Sequence, residues 1–278
     1  MDYRDFVSGI RQAYQHTGGI KTLCLGSFDK DWFQQIQAEC AWIIKNAGSS
    51  DVTMAGHVTN WTRPTGQVRQ FSLFNDTGNS ADTKGDYGYL GDARRKRLVY
   101  PNLPALSRFA SMFQPALRNL RLNGMGLKSA LSAHEEESIS ISRFGPRYIV
   151  RFHAPIFTNP NAFVYLDDER FHFEEGKLYL FHHGCVHAAS NTGQDLRYHL
   201  VFDCFLDRAL FERIFPGTPS PDVGYEKDCQ PVHGESFHFE NFVKEDNSVI
   251  TGDIAYGRRA PGLMTYYRRR WPSVFGAA

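Results

Sequence analysis

The chain has few cysteines and almost no net charge, and both features exclude classes of protein. The five cysteines among 278 residues are scattered, and no two form a Cys-x-x-Cys pair. This argues against a disulfide framework and against a structural zinc site of the usual spacing. Lys and Arg total 31 against 30 Asp and Glu. The overall charge therefore favours neither nucleic acid nor an anionic membrane as a partner.

Long hydrophobic runs are also missing. No stretch approaches the roughly 18 apolar residues of a membrane-spanning helix. The first residues, MDYRDFVSGIRQAY, lack the apolar centre of a signal peptide. We therefore expect a cytoplasmic protein with no membrane partner, whose cysteines are reduced and mostly structural. The sequence contains no signal for a particular oligomeric state.

The pattern of apolar residues changes near residue 125. Before it, helical spacing predicts one helix over 31–46, with Asp31 as its cap, and a second over 103–120 despite Pro115. After it, short alternating segments separated by turns predict an all-β sandwich or barrel. We expect residues 1–125 to supply helices and loops packed on the barrel, 126–207 its core, and 208–278 a helix and an irregular tail, all in one domain.

Two of the predicted strands carry a polar face. In each, alternate residues place cationic and imidazole side chains together, opposite an apolar face. Such a face is either solvated or lines a polar barrel interior. The residues of the two faces are Ile149, Arg151, His153 and Pro155 in YIVRFHAPI, and Arg197, His199, Val201 and Asp203 in LRYHLVFD.

Histidine and glutamate spaced for metal binding occur in the segment SAHEEESISIS. On a strand, His134 and Glu136 project to the same side. The same spacing recurs at His172/Glu174, His233/Glu235 and His238/Glu240, so it does not identify a site alone. His187 offers a third ligand, and two imidazoles with one carboxylate are the ligand set of non-haem Fe(II). Arg197 is suited to hold the carboxylate of a co-substrate.

The run RFHAPIFTNPNAF, followed by EEGKLYLFHHGCVHAASNTGQDLRYHLVFD, resembles the aspartyl/asparaginyl β-hydroxylase family of Fe(II)- and 2-oxoglutarate-dependent oxygenases. The order and spacing of the Arg-x-His, Glu-x-Gly, His and Arg-x-His anchors agree with that family over residues 132–206. The resemblance implies a mainly β double-stranded β-helix, or jelly roll (cupin-like), with flanking α-helices. It also implies Fe(II), 2-oxoglutarate and O2 as cofactor and co-substrates. The chain departs from the family in having Phe171 and Phe173 where a Trp is common.

Carried over by position, the resemblance implies roles for single residues. His134, Glu136 and His187 would bind iron, and Arg197 would hold the distal carboxylate of 2-oxoglutarate. Arg151 and His153 would face the keto-acid end that chelates the metal. Asn191 and Asp203 match the family pattern as structural residues. A substrate carboxylate would meet Arg63, in the loop NWTRPTGQVRQF.

The implied reaction is hydroxylation of an unactivated C–H bond with release of succinate and CO2. A carboxylate at position 136 favours hydroxylation over halogenation, since it occupies the coordination position that a halide would need. We expect a small-molecule substrate, an amino acid or a natural-product intermediate. The alternatives are a peptidyl Asp/Asn hydroxylase, a cupin-like metal enzyme or isomerase, a catalytically silent jelly-roll binding module, and a zinc site formed by His182, His183, Cys185 and His187.

Overall fold

The computed structural model describes residues 1–14, 18–51, 68–82, 96–134, 139–142, 145–167, 169–215 and 225–237. Their side chains are described except at 14, 50, 51, 132–134, 139–142, 145–147, 225–227 and 231. The described residues form helices α1 (Tyr3–Tyr14), α2 (Lys30–Asn46), α3 (Pro104–Phe113) and α4 (Arg208–Ile214). The strands are β1 (Thr22–Phe28), β2 (Ser50–Asp51), β3 (Val68–Ser72), β4 (Phe74–Asn75), β5 (Arg97–Leu98), β6 (Leu117–Met125), β7 (Ser129–His134), β8 (Ile139–Ser142), β9 (Gly145–Phe157), β10 (Ala162–Leu166), β11 (Glu169–Phe171), β12 (Lys177–Phe181), β13 (His187–Asn191), β14 (Arg197–Phe205), β15 (Tyr225–Pro231) and β16 (Glu235–Ser236).

Two antiparallel sheets form the body of the fold. The larger has nine strands, in the order β15-β1-β12-β9-β14-β6-β3-β2 with β8 paired to β9. The smaller has five strands, in the order β16-β11-β10-β13-β7, and β4 pairs with β5 separately. The prediction of a mainly β jelly roll with flanking helices is confirmed. Strand β14 has hydrogen-bonded neighbours on both sides, β9 and β6.

The core has two layers. The helices pack on the outer face of the nine-stranded sheet, where the rings of Phe113 and Phe202 have centroids 4.4 Å apart. A second cluster joins side chains of both sheets, including Phe181 of β12 and Leu166 of β10. The two sheets therefore face each other across this second cluster, and the strands' inward residues line a barrel interior.

Helix α2 agrees with the predicted helix, but its cap is different. The side chain of Asp29, not Asp31, accepts a hydrogen bond from the backbone N–H of Trp32 at 2.9 Å. An N-cap carboxylate satisfies one of the N–H groups that the first helical turn leaves without a partner. Asp31 lies inside the first turn, where a negative charge also favours the helix dipole.

The second predicted helix, over 103–120, is wrong in its second half. Helix α3 ends at Phe113, and strand β6 begins at Leu117. Pro115 lies between them and has no N–H to continue a helical hydrogen-bond ladder. Residues 117–125 instead become a strand at the centre of the nine-stranded sheet.

The nine-stranded sheet draws strands from well outside residues 126–207. Strands β1, β3 and β6 precede that segment and β15 follows it. The predicted division of the chain at residues 125 and 207 stays a prediction. In the described part of the chain, no helix combines the length and apolar character needed to cross a membrane.

Candidate functional site

The two predicted histidine ligands lie on neighbouring strands of the five-stranded sheet. Strands β7 and β13 are antiparallel, and their register pairs His134 directly with His187. The pair lies beside a register shift, a β-bulge or irregularity between His187 and Ala189. The side chain of His134 is not described, and Glu136 and Arg63 lie outside the described residues. The three ligand assignments therefore stay predictions, which the backbone register favours for the two histidines.

The ring of His187 is oriented by contacts on two sides. Its Nδ1 lies 2.9 Å from the backbone carbonyl oxygen of Cys185, and its ring meets that of Phe181 edge-on at 5.2 Å. A carbonyl oxygen can only accept a hydrogen bond, so Nδ1 carries the proton and Nε2 carries the lone pair. This is the arrangement in which a backbone carbonyl commonly fixes a metal-binding histidine. His187 is therefore suited to bind a metal through Nε2.

No group of three potential metal ligands occurs among the side chains that the structure describes. The predicted iron site needs His134 and Glu136 in addition to His187, and neither side chain belongs to that set. The fit of iron consequently depends on the oriented His187 ring and on the register that brings His134 opposite it.

Both predicted polar faces are buried. Arg151 is 6 % exposed, Arg197 3 % and Asp203 3 %, and the imidazoles of the two strands are buried equally well. The ring of His153 contacts Phe173 and Phe181 of the inter-sheet cluster. The two faces therefore line the barrel interior, and the alternative of a solvated sheet surface is wrong.

Arg151 is held by Asp203 on the adjacent strand. The register pairs the two residues, and Arg151 Nε and Nη2 donate to Asp203 Oδ1 and Oδ2 at 2.7 and 3.1 Å. Arg121 contacts the same carboxylate at 3.4 Å, and Asn119 donates to it at 2.7 Å. Asp203, predicted to be structural, is thus the centre of a buried charged cluster. The predicted contact of Arg151 with the co-substrate stays a prediction.

The charges around Asp203 determine its ionisation. Burial alone raises the pKa of the Asp203 carboxyl, but the guanidinium groups of Arg151 and Arg121 outweigh it and hold that pKa far below its usual value. The group is therefore an anion at neutral pH.

Arg197 has no such acidic partner. Its Nε and Nη2 lie 3.1 and 2.9 Å from the two ring nitrogens of His199, and its Nη1 lies 3.0 Å from Met125 Sδ. Among the described residues, no carboxylate pairs with it. Burial lowers the pKa of Arg197 to about 9, so the guanidinium remains charged at neutral pH. A buried cation without a counter-ion is costly unless a ligand provides one, and the distal carboxylate of 2-oxoglutarate fits this requirement.

His153 is a neutral imidazole inside the barrel. Burial, followed by the positive charges of Arg197 and Arg151, holds its pKa well below the usual value. Its Nδ1 lies 3.4 Å from Nδ1 of His199. A neutral His153 can donate or accept a hydrogen bond at the predicted keto-acid end of the co-substrate, and this role stays a prediction.

Sequence reasoning missed the contribution of β6 to this interior. Asn119, Arg121, Asn123 and Met125 are alternate residues of β6 and pair with β14 from Asp203 to Arg197. The Oδ1 atom of Asn123 is buried and makes no hydrogen bond. The signal for these residues was their alternation, and the helix predicted over 103–120 covered only its beginning, at Asn119.

Asn191, predicted to be structural, fixes the loop that precedes Arg197. Its Nδ2 donates to the carbonyl oxygens of Met125, Gly126 and Asp195 at 3.0, 3.1 and 2.8 Å. Asn159 donates to Asn191 Oδ1 at 3.0 Å. These contacts join the ends of β6, β13 and β14 where the arginine begins its strand.

The zinc alternative fails on the contacts of His182. Its Nε2 lies 2.8 Å from the carbonyl oxygen of Ile10, and its Nδ1 accepts a hydrogen bond from the N–H of Gly184. Both nitrogens are thus used by the backbone. Cys185 Sγ lies 3.9 Å from the carbonyl oxygen of Ala13. These side chains attach helix α1 to the barrel and do not form a metal cluster.

Comparison with known proteins agrees with the sequence resemblance. The sequence model of the family described as Aspartyl/Asparaginyl beta-hydroxylase matches residues 102–206. No curated protein sequence matches the chain.

Several solved structures share the general architecture at low similarity. A 2OG-Fe(II) oxygenase family oxidoreductase from Burkholderia pseudomallei is 16 % identical, with 72 % of this chain and 90 % of that chain covered and a TM-score of 0.39. HygX from Streptomyces hygroscopicus, solved with nickel and 2-oxoglutarate, is 11 % identical, with 82 % and 98 % covered and a TM-score of 0.41. A prolyl hydroxylase from Trichoplax adhaerens, solved with a peptide fragment, is 10 % identical, with 76 % and 96 % covered and a TM-score of 0.43.

These structural likenesses are distant, and the sequence similarity to the family is confined to residues 102–206. It spans the segment from just before α3 to the end of β14, including His187, the buried Arg151–Asp203 pair and Arg197. Residues 102–206 are thus similar to the aspartyl/asparaginyl β-hydroxylase family, as the motifs predicted.

Proposed function

We propose that this protein is an Fe(II)- and 2-oxoglutarate-dependent dioxygenase that hydroxylates an unactivated C–H bond of a small molecule, an amino acid or a natural-product intermediate. The observation that carries the proposal is Arg197, a buried guanidinium for which the described residues provide no carboxylate. It lies in the same barrel as His187, whose ring is oriented for metal binding.

His187, with His134 and Glu136, would hold the iron. Bound iron, with 2-oxoglutarate and O2, would supply the oxidant for C–H hydroxylation, while 2-oxoglutarate becomes succinate and CO2. Arg197 would orient the co-substrate through its distal carboxylate, and His153 would contact its other end. The aromatic rings of Phe173, Tyr179 and Phe181 would exclude water from this interior, since all three are buried in the inter-sheet cluster. Glu136 as a ligand would favour hydroxylation over halogenation.

An anaerobic titration tests the proposal directly. Protein loaded with Fe(II) is titrated with 2-oxoglutarate, and the visible metal-to-ligand charge-transfer band of the chelate is recorded. We expect a saturable band. Its absence, with iron demonstrably bound, would exclude the oxygenase and leave the cupin-like metal enzyme. Failure to bind iron at all would leave the binding module.

Arg197→Ala is expected to weaken 2-oxoglutarate binding by about 2–4 kcal/mol, roughly 30- to 1000-fold, because a buried charged hydrogen-bond pair is lost. The midpoint of the same titration measures this. Arg208→Ala, which removes an exposed arginine of α4, is the control and should leave the midpoint unchanged. An unaltered midpoint in Arg197→Ala would contradict the assignment of the anchor.

The second candidate is a peptidyl Asp/Asn hydroxylase, which the description of the matching family favours. A substrate panel separates the two. Succinate release is measured with free amino acids, with biosynthetic intermediates and with Asp- or Asn-containing peptides. We expect stimulation by a small molecule, and stimulation by peptides alone would favour the alternative.

A further inference from the structure

The barrel interior holds its buried arginines in two different ways. Arg151 and Arg121 share the carboxylate of Asp203. Arg197 is held instead by an imidazole, that of His199, two residues along the same strand. Asp203 lies six residues from Arg197, roughly 20 Å along an extended strand, and cannot serve as its counter-ion. The chain thus places a neutral partner at the arginine that is predicted to meet the distal carboxylate of 2-oxoglutarate.

The contacts of Arg197 require His199 to be uncharged. A guanidinium has only donors, so an imidazole nitrogen that receives its hydrogen bond must carry a lone pair. A neutral imidazole has one unprotonated nitrogen, so His199 accepts from one of the two N–H groups that Arg197 directs at it: Nε, which lies 3.1 Å from His199 Nε2, or Nη2, which lies 2.9 Å from His199 Nδ1. The other ring nitrogen carries the proton, and His199 Nδ1 also lies 3.4 Å from His153 Nδ1.

The surroundings also favour the neutral form. His199 is 2 % exposed. Burial, followed by the charge of Arg197 and the neighbouring His153, holds the pKa of His199 well below its usual value. The ring faces Arg197 on its own strand and His153 on β9, and β6 presents Asn123 opposite it. None of these described neighbours is acidic.

We propose that His199 is a positioning residue that fixes the direction of the Arg197 guanidinium without neutralising it, so that this site selects a co-substrate whose distal end is anionic. A carboxylate in place of His199 would also orient the guanidinium, but it would form an internal ion pair and take the position of the ligand. An apolar residue would preserve the charge but leave its direction undefined. The inference rests on the proposed function, since it assigns the distal carboxylate of 2-oxoglutarate to Arg197.

The experiment compares two ligands that differ only at the distal end, 2-oxoglutarate and its distal amide, 2-oxoglutaramate. Their dissociation constants are measured by anaerobic equilibrium dialysis with Mn(II) in place of iron, so that no turnover is needed. The readout is the ratio of the two constants. We expect the unaltered protein to prefer 2-oxoglutarate by about tenfold or more, because a charged hydrogen bond to the guanidinium is stronger than a neutral one.

The variants at position 199 separate orientation from charge. His199→Gln retains an acceptor and should keep the preference. His199→Leu should weaken 2-oxoglutarate binding by about tenfold, the effect of one hydrogen bond to a charged group. His199→Glu should reduce the ratio to near one, because the introduced carboxylate pairs with Arg197. A purely structural role would change both constants in parallel and leave the ratio unaltered.

His182→Leu is the matched control, since His182 is equally buried and its two ring nitrogens contact the backbone of Ile10 and Gly184. It should leave the ratio unchanged even where stability falls. A His199→Glu protein that retains the full preference would overturn the positioning role. An unaltered protein that binds neither ligand would instead overturn the proposed function, so the two failures are distinguishable.

The tautomer gives a readout without any ligand. In protein labelled with 15N-histidine, we expect the His199 signals of a neutral ring, with one unprotonated nitrogen, at pH 7. In Arg197→Lys, which shortens the donor group, these signals should shift. A doubly protonated His199 at neutral pH would contradict the contact with the guanidinium.

Discussion

Alanine at position 187 is expected to lower succinate release from 2-oxoglutarate, measured without substrate, by more than about 100-fold, since loss of a group that only orients a metal ligand typically costs about 10- to 100-fold. The reason is the orientation of the ring: the Cys185 carbonyl oxygen lies 2.9 Å from Nδ1 and fixes the proton there, and Nε2 is the atom predicted to bind the metal. Alanine removes that ligand without disturbing the backbone register of β13.

Two further variants make this result specific. His134→Ala should have a comparable effect, because His134 is paired in register with His187. His233→Ala removes an exposed histidine from another His-x-Glu sequence and should retain full activity. Iron content is measured alongside succinate. A His187→Ala protein that keeps both its iron content and its succinate release would require a different metal site.

Replacing Asp203 by Asn is expected to lower the free energy of unfolding by about 3–5 kcal/mol, the usual effect of removing one partner of a buried ion pair. Asp203 accepts from both Nε and Nη2 of Arg151 and contacts Arg121, and all three side chains are buried. Urea denaturation followed by fluorescence measures the change. Asp76→Asn, at an exposed aspartate, is the control and should change stability by less than about 0.5 kcal/mol.

The loss of stability in Asp203→Asn should depend on pH in a defined direction. The folded pKa of Asp203 is depressed, so its ionisation stabilises the fold above the unfolded pKa, about 3.9 for an aspartate. That stabilisation declines as the pH falls below 3.9 toward the folded pKa. The difference between the unaltered protein and Asp203→Asn should therefore be constant from about pH 5 to 7 and become smaller in acid. A difference that increases in acid would show that another group dominates.

Much of the barrel was predictable because its strands alternate over many residues. In β9 and β14, an arginine and a histidine stand two residues apart with apolar residues between and beside them, as in Arg151/His153 and Arg197/His199, and an extended chain places each such pair on one face. Strand β6 was missed because Leu117 and Leu120 continue the helical spacing that begins before Phe113. Pro115 separates the true helix from this strand, and the tertiary context of two neighbouring strands decides the conformation.

The residue types of the candidate site were predictable, but the contacts between its side chains were less so. Motif spacing predicts His187 and Arg197 as site residues, but the register of β9 against β14 determines that Arg151 meets Asp203. A shift of one residue would place the two on opposite faces, and the sequence of either strand alone does not fix that register. The positioning role proposed for His199 likewise follows from its contact with Arg197. From the sequence, His199 shows only the alternation that is typical of a strand.

The position of β14 in the sheet has a consequence for evolution and engineering. Arg197, His199 and Asp203 lie on a strand whose edges are both occupied, by β9 and β6. The spacing of these three side chains is thus set by the backbone hydrogen bonds of β14 and does not depend on the loops that connect the strands. We expect loop exchange to redirect the enzyme toward new substrates while the co-substrate anchor stays intact, which makes this chain a suitable scaffold for libraries diversified in its connecting segments.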